Sequence, residues 1–144
     1  MGNNANIRMT VKQTADGETD SSELFTKGEF REHGGSFFID YDESEATGYE
    51  GSHVQLRIGQ QDETITMTRT GKAFSSLIFE NGKRHFCHYG TEYGDCMIGI
   101  STTEMRNGIT SGGREVYVRY TIDVNSGLML TNEITINVKL HDGN

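Results

Sequence analysis

The chain has 144 residues, with 13 Lys and Arg against 21 Asp and Glu for a formal net charge of −8, and it has 18 Gly but no Pro and no Trp. That length suits a single domain spanning 1–144. An acidic chain whose only adjacent basic pair is Lys83-Arg84 is repelled by phosphate backbones, so nucleic acid is excluded as a partner at this stage.

No apolar run approaches the roughly 18 residues of a membrane span, so no membrane partner is expected. The start, Met1-Gly2-Asn3-Asn4-Ala5-Asn6, lacks the basic and apolar regions of a secretory signal. Gly2 resembles a myristoylation acceptor, but position 6 is Asn where Ser or Thr is required. The expected location is the cytoplasm, where thiols stay reduced.

Period-two alternation dominates the chain. Ile7, Met9 and Val11 predict a strand over 5–14. The polar run Asp16-Gly17-Glu18-Thr19-Asp20-Ser21-Ser22-Glu23 reads as a mobile hairpin tip before a strand over 22–33. Gly34-Gly35 turns the chain into 35–44, where Phe37, Ile39 and Tyr41 share a face. Gly48-Tyr49-Glu50-Gly51 reads as a turn into 52–60, with Val54, Leu56 and Ile58 alternating. Strands over 63–70 and 73–80 follow. Asn81-Gly82 is the clearest hairpin signal and leads into 83–90. Further strands are predicted over 94–106, 109–124 and 127–141, with Asn107-Gly108, Gly112-Gly113 and Ser126-Gly127 as turn signals. In the last stretch Leu128, Leu130, Ile134, Ile136, Val138 and Leu140 fall on one parity.

About ten strands with one buried face must dispose of their edges, and closure into a barrel removes edges altogether where a sandwich leaves some. The absence of Pro suits continuous ladders. The predicted class is therefore all-β: a closed antiparallel barrel of about 8–10 strands in mostly up-and-down order.

Polar residues at apolar positions are the informative ones. Glu43 continues the face of Phe37, Ile39 and Tyr41; Arg69 follows Ile65 and Met67; Asn132 lies between Leu130 and Ile134. If Thr91 faces Gly94, then His85, Cys87 and Tyr89 share a face with Cys96, Ile98 and Ile100. Glu43, Arg69, His85, Tyr89 and Asn132 thus form a candidate ligand-binding set on a polar lumen floor. Two alternatives stand beside it: a satisfied internal network that plugs the barrel, or strand-end charges in water.

Other chemistries find less support. His85, Cys87 and Cys96 match no zinc spacing, so neither metal nor cofactor is expected. Cys87 and Cys96 would sit diagonally, roughly 7–8 Å apart, beyond easy bridging. No Gly-x-Ser-x-Gly elbow marks a nucleophile, and Glu43 with His85 is the one acid–base pair an enzyme could use. The acidic residues Asp40, Asp42, Glu43, Glu45 and Glu50 lack a Gly-centred calcium loop and read as a solvated rim.

Several stretches taken in order resemble one bacterial family. They are Phe38-Ile39-Asp40-Tyr41-Asp42-Glu43-Ser44-Glu45, Thr47-Gly48-Tyr49-Glu50-Gly51, Thr68-Arg69-Thr70-Gly71, Phe79-Glu80-Asn81-Gly82 with His85, and Tyr89-Gly90-Thr91-Glu92-Tyr93-Gly94. Ile98-Gly99-Ile100, Thr102, Tyr120-Thr121-Ile122-Asp123-Val124-Asn125 and Asn132-Glu133-Ile134-Thr135-Ile136 complete the series. Over most of its length the chain resembles the YwiB-like proteins, an uncharacterised family with a calycin-like, lipocalin-shaped β-barrel. Glu92 stands where that family's turn usually has Pro, a change a type I turn tolerates. The resemblance implies a barrel and includes Glu43, Arg69, His85, Tyr89 and Asn132 among its motif positions; it implies no activity.

Two functions follow as expectations. One is a lumen that binds a small molecule with a polar or anionic head, Arg69 meeting the head, Glu43 orienting Arg69, and His85, Tyr89 and Asn132 donating hydrogen bonds. The other is a non-enzymatic interaction module, possible as a homodimer, acting through outward Phe38, Phe74, Ile78, Phe86 and Met97.

Overall fold

The computed structural model describes residues 3–44, 49–60, 64–91, 94–124 and 128–141. Five features expected from sequence lie outside the described residues: the Met1-Gly2 start, Glu45, Gly48 of the turn, Glu92-Tyr93, and Ser126-Gly127.

Ten antiparallel strands follow one another in chain order. They are β1 (Asn3–Ala15), β2 (Glu18–His33), β3 (Ser36–Asp42), β4 (His53–Gly59), β5 (Thr64–Thr70), β6 (Ser75–Glu80), β7 (Arg84–Thr91), β8 (Gly94–Asn107), β9 (Gly113–Val124) and β10 (Leu128–Leu140). Each strand pairs with the next, and β10 returns to β1, where Ile7 faces Val138 and Met9 faces Ile136, closing the barrel. The described residues contain no helix long and apolar enough to cross a membrane.

Two stretches differ from the sequence reading. The polar run 18–22 is ladder, not a mobile tip: Thr14 faces Thr19 and Lys12 faces Ser21. Asp16 and Gly17 both take positive φ, 51° and 80°, the two-residue turn whose twist matches its flanking strands, so pairing starts at once. Conversely, 109–112 is turn where strand was expected. Thr110 and Gly113 exchange backbone hydrogen bonds of 2.8 and 2.9 Å, and the Asn107 side chain caps the Ile109 amide at 3.1 Å.

Up-and-down order gives the barrel two unlike ends. Gly34-Gly35, Asn81-Gly82 and the 108–112 turn lie at one; Asp16-Gly17, Glu43-Ser44, residues 49–52 and 71–74, and the Thr91–Gly94 end of the β7–β8 pair lie at the other. The first end is solid. Phe30 stacks on Phe37 at 5.4 Å, Ile58, Ile65, Ile100 and Val116 are almost wholly buried, and Phe79 meets Tyr120 edge-on at 4.7 Å. The second end is where the inward alternation turns polar.

Cys87 faces Ile98 and Tyr89 faces Cys96, with Thr91 opposite Gly94. Both cysteines are free; Cys87 is buried, but Cys96, expected on the inner face, is exposed at the strand's end. Among the outward residues, Phe74, Phe86 and Met97 are exposed. Phe38 instead lies under the Arg31 guanidinium at 4.3 Å. Ile78 packs partly against the core: β6 and β7 part beyond Ser76–His88, and the Ile78 amide donates to the Cys87 sulfur at 3.3 Å.

Candidate functional site: a half-open barrel

A cavity of about 400 Å³ occupies the end of the barrel opposite the packed one. Its walls are apolar, from Met9 and Val11 on β1, Leu24 on β2, Met67 on β5, Leu77 on β6 and Ile134 on β10. Its polar groups are Tyr41, Glu43, Arg69, Ser75, Tyr89 and Tyr120, with Ser22 and Glu23 at the exposed rim. Below it the lumen closes on Leu56, Ile65, Phe79, Val118 and Ile136, leaving space of only about 20 Å³.

Glu43 sits one residue beyond β3, but its amide donates to the Ser52 carbonyl at 2.8 Å, so the β3 alternation runs on and the carboxylate turns inward. Arg69 is the inward residue two after Met67 on β5. Its Nε donates to Glu43 Oε2 at 2.7 Å and its Nη2 to Oε1 at 3.0 Å, a fork-to-fork pair with side-chain exposures of 11% and 2%. Burial works against the Arg69 charge, but the Glu43 carboxylate outweighs it and raises the guanidinium pKa.

Tyr49 completes this corner. Its ring lies 3.8 Å from the guanidinium carbon, and its hydroxyl meets that of Tyr89 at 3.2 Å. The loop carrying it is pinned from below: the Ser52 amide donates to the Tyr49 carbonyl at 2.9 Å, and the Lys72 amide donates to the Ser52 hydroxyl at 3.3 Å. Gly71 makes that approach feasible, with φ of +116° and no room for a Cβ, which would stand 2.8 Å from the Ser52 Cα.

The remaining hydroxyls are all phenolic or serine. Burial pushes the Tyr89 phenol up to about 12, the Tyr49 hydrogen bond adding to it. Burial raises Tyr120 to about 12 as well, the neighbouring Asn132 amide working against it. Tyr41 is raised by burial and then by the Glu43 charge. The phenols therefore remain protonated donors at neutral pH. The Ser75 hydroxyl accepts the Gly90 amide at 3.1 Å.

Of the five residues nominated from sequence, Glu43, Arg69 and Tyr89 line the cavity. Asn132 does not line it; it is buried against Tyr120, its register partner, with its Oδ1 unpartnered. His85 is not at the cavity. It sits beside the Asn81-Gly82 turn and bonds Glu80 Oε1 at 2.9 Å. Four residues of strand, about 13 Å, separate it from Tyr89 along β7. Glu43 and His85 therefore share no cleft, which removes the acid–base pair. The same separation keeps His85 from Cys96, and among the described residues no three His, Cys, Asp or Glu could hold a metal.

Asp40 and Asp42 face outward, where His53 bridges them through Nε2 at 3.0 Å and Nδ1 at 2.9 Å. Tyr41, Tyr49, Ser75 and Tyr120 were not singled out beforehand. Tyr41 reads as an apolar member of the Phe37, Ile39 face, although a phenol at an inward position is itself a sign that a polar group waits there.

The family model for "Domain of unknown function (DUF1934)" matches residues 7–136. The chain belongs to that family. The crystal structure of ywiB protein from Bacillus subtilis shares the fold with a TM-score of 0.73, covering 94% of this chain and 92% of that one at 14% identity. The YwiB-like, calycin-like barrel expected from sequence is therefore the fold observed. No curated protein matches the sequence.

Proposed function

We propose that this DUF1934 barrel binds a small molecule with an apolar body and a polar head in the open half of its lumen. The observation carrying this reading is the contrast between the two halves. One end is packed solid, while the other keeps about 400 Å³ with apolar walls and a few convergent polar groups. That is the size and make-up of small-molecule sites, which fall at roughly 300–1,000 Å³. A plugged barrel would have filled this space with side chains. The free thiols of Cys87 and Cys96 suit a reducing compartment, and the cytoplasm is the location this reading assigns.

Native mass spectrometry of gently purified protein, with thermal shifts across a metabolite panel, tests the reading. A co-purifying small molecule or a ligand-dependent rise in Tm is the expected result. A bare mass together with no shift across the panel overturns it. Leu77→Trp, which fills the cavity from its wall, is expected to abolish binding while the fold is kept.

A second reading has its own observation. On the outer face Met129, Asp123, Gly99 and Phe86 form one row across β10, β9, β8 and β7. Met129, Phe86 and nearby Met97 and Phe74 are exposed, which favours an interaction surface and a homodimer. Sedimentation at high concentration tests it; a monomer removes the homodimer.

A further inference from the structure

Among the described residues, the ionic groups that line the cavity are one guanidinium, Arg69, and two carboxylates, Glu43 and Glu23. None of the three is at the disposal of a charged ligand. Glu43 accepts two of the five N–H bonds of Arg69 and balances its charge, and the Tyr49 ring covers the guanidinium at 3.8 Å. Glu23 stands at the rim and is held from outside by Arg8, whose Nη2 lies 2.6 Å from its Oε2. A carboxylate entering the lumen would reach only the N–H groups that Glu43 leaves, and it would meet a pair of zero net charge with the Glu43 carboxylate as its like-charged neighbour. An ammonium would meet the same balanced pair, with the Arg69 guanidinium as its like-charged neighbour. Both would lose hydration without gaining a counter-charge.

Neutral polar groups are treated differently. Tyr120, the register partner of Asn132, lines the cavity with a phenol whose hydroxyl can donate one hydrogen bond. Tyr89 brings a second phenol to the cavity wall. Tyr41 adds a third phenol from β3.

We propose that the cavity selects by charge: it takes amphiphiles whose head is a neutral hydroxyl, carbonyl or amide, and it rejects carboxylate and ammonium heads on the same tail. The Glu43–Arg69 pair is thus the selectivity device, and Tyr120 is the donor that meets the head group. This inference rests on the cavity being the ligand site.

Titration calorimetry with 1-decanol, decanoate and decylamine at about pH 8, where both charged heads are ionised, tests it. Decanol is expected to bind at least about tenfold tighter than either charged analogue. Decanoate or decylamine binding as tightly as decanol, or tighter, overturns the charge selection and leaves the ligand-site reading standing. Saturable binding of none of the three, with no ligand from the metabolite panel either, overturns that reading and this inference with it.

Glu43→Gln supplies the reciprocal measurement, since it keeps the shape of the pair and leaves the guanidinium charge unbalanced. In the folded variant decanoate is expected to overtake decanol; an unchanged order counts against the proposal. Should the variant fail to fold, the wild-type panel decides alone.

Discussion

Glu43 and Arg69 illustrate how a buried charge pair is better measured by breaking it than by counting it. Two ions taken out of water recover their hydration only through each other, so removing one leaves the other exposed to the full cost. Arg69→Ala is expected to lower stability by about 3–5 kcal/mol in urea unfolding. The double replacement Glu43→Leu with Arg69→Met is expected to return close to the parent value, because neither charge is then stranded. Equal losses in the single and double variants would contradict this account.

His53 makes the opposite case on the outer face. Its ring nitrogens bond Asp42 and Asp40, and these bonds, Asp42 first, raise its pKa above the ordinary histidine value. The folded protein then holds the proton more tightly than the unfolded chain. The resulting stabilisation is full below the unfolded pKa of about 6.5 and disappears as pH rises through the folded one. With the His53 side chain 45% exposed, solvent screening keeps the contribution small. NMR titration should find His53 raised, and Asp42→Asn should bring it down; an unmoved His53 in that variant would assign the shift elsewhere.

At the scale of the element, strand alternation in the sequence fixes which way a side chain points but not how far along the barrel axis it lies. Glu43, Arg69 and Tyr89 were readable as inward residues for that reason, and they do face the lumen. His85 shares the parity of Tyr89 but belongs to the other end of β7, a distance alternation does not encode. Tyr49 was illegible on different grounds: it stands in a loop, where there is no pleat to read, and its position depends on contacts between loops distant in sequence.

Those contacts can be tested through Gly71. Its positive φ and its approach to Ser52 hold the 71–74 loop against the segment bearing Tyr49. Gly71→Ala is expected to cost at least about 1 kcal/mol in thermal or urea unfolding. It should also loosen Tyr49 from Arg69, seen as a change in the Tyr49 ring signals by NMR. A neutral Ala at this position would mean that the loops are held together elsewhere.

For the molecule as a whole, ten strands close into one barrel whose two ends are filled unequally, one packed and one open. Ile58 is fully buried in the packed end, so Ile58→Ala leaves a hole that its neighbours cannot close, at about 2–5 kcal/mol. Leu77 faces space that is already open, so Leu77→Ala forfeits transfer energy without creating a new enclosed void and is expected to cost about 1–2 kcal/mol. Equilibrium unfolding of the two variants separates them; equal losses would mean the cavity end is as tightly built as its opposite.

The seam between β1 and β10 has a practical corollary. His141 donates its amide to the Asn4 carbonyl at 3.0 Å, on the solid side of the barrel and away from the cavity mouth. A short glycine bridge joining residues 141 and 3, with the chain reopened at Gly34-Gly35, would give a circular permutant whose every ladder partner is retained. Such a permutant would carry attached labels or immobilising surfaces far from the opening and leave the approach to the lumen unobstructed.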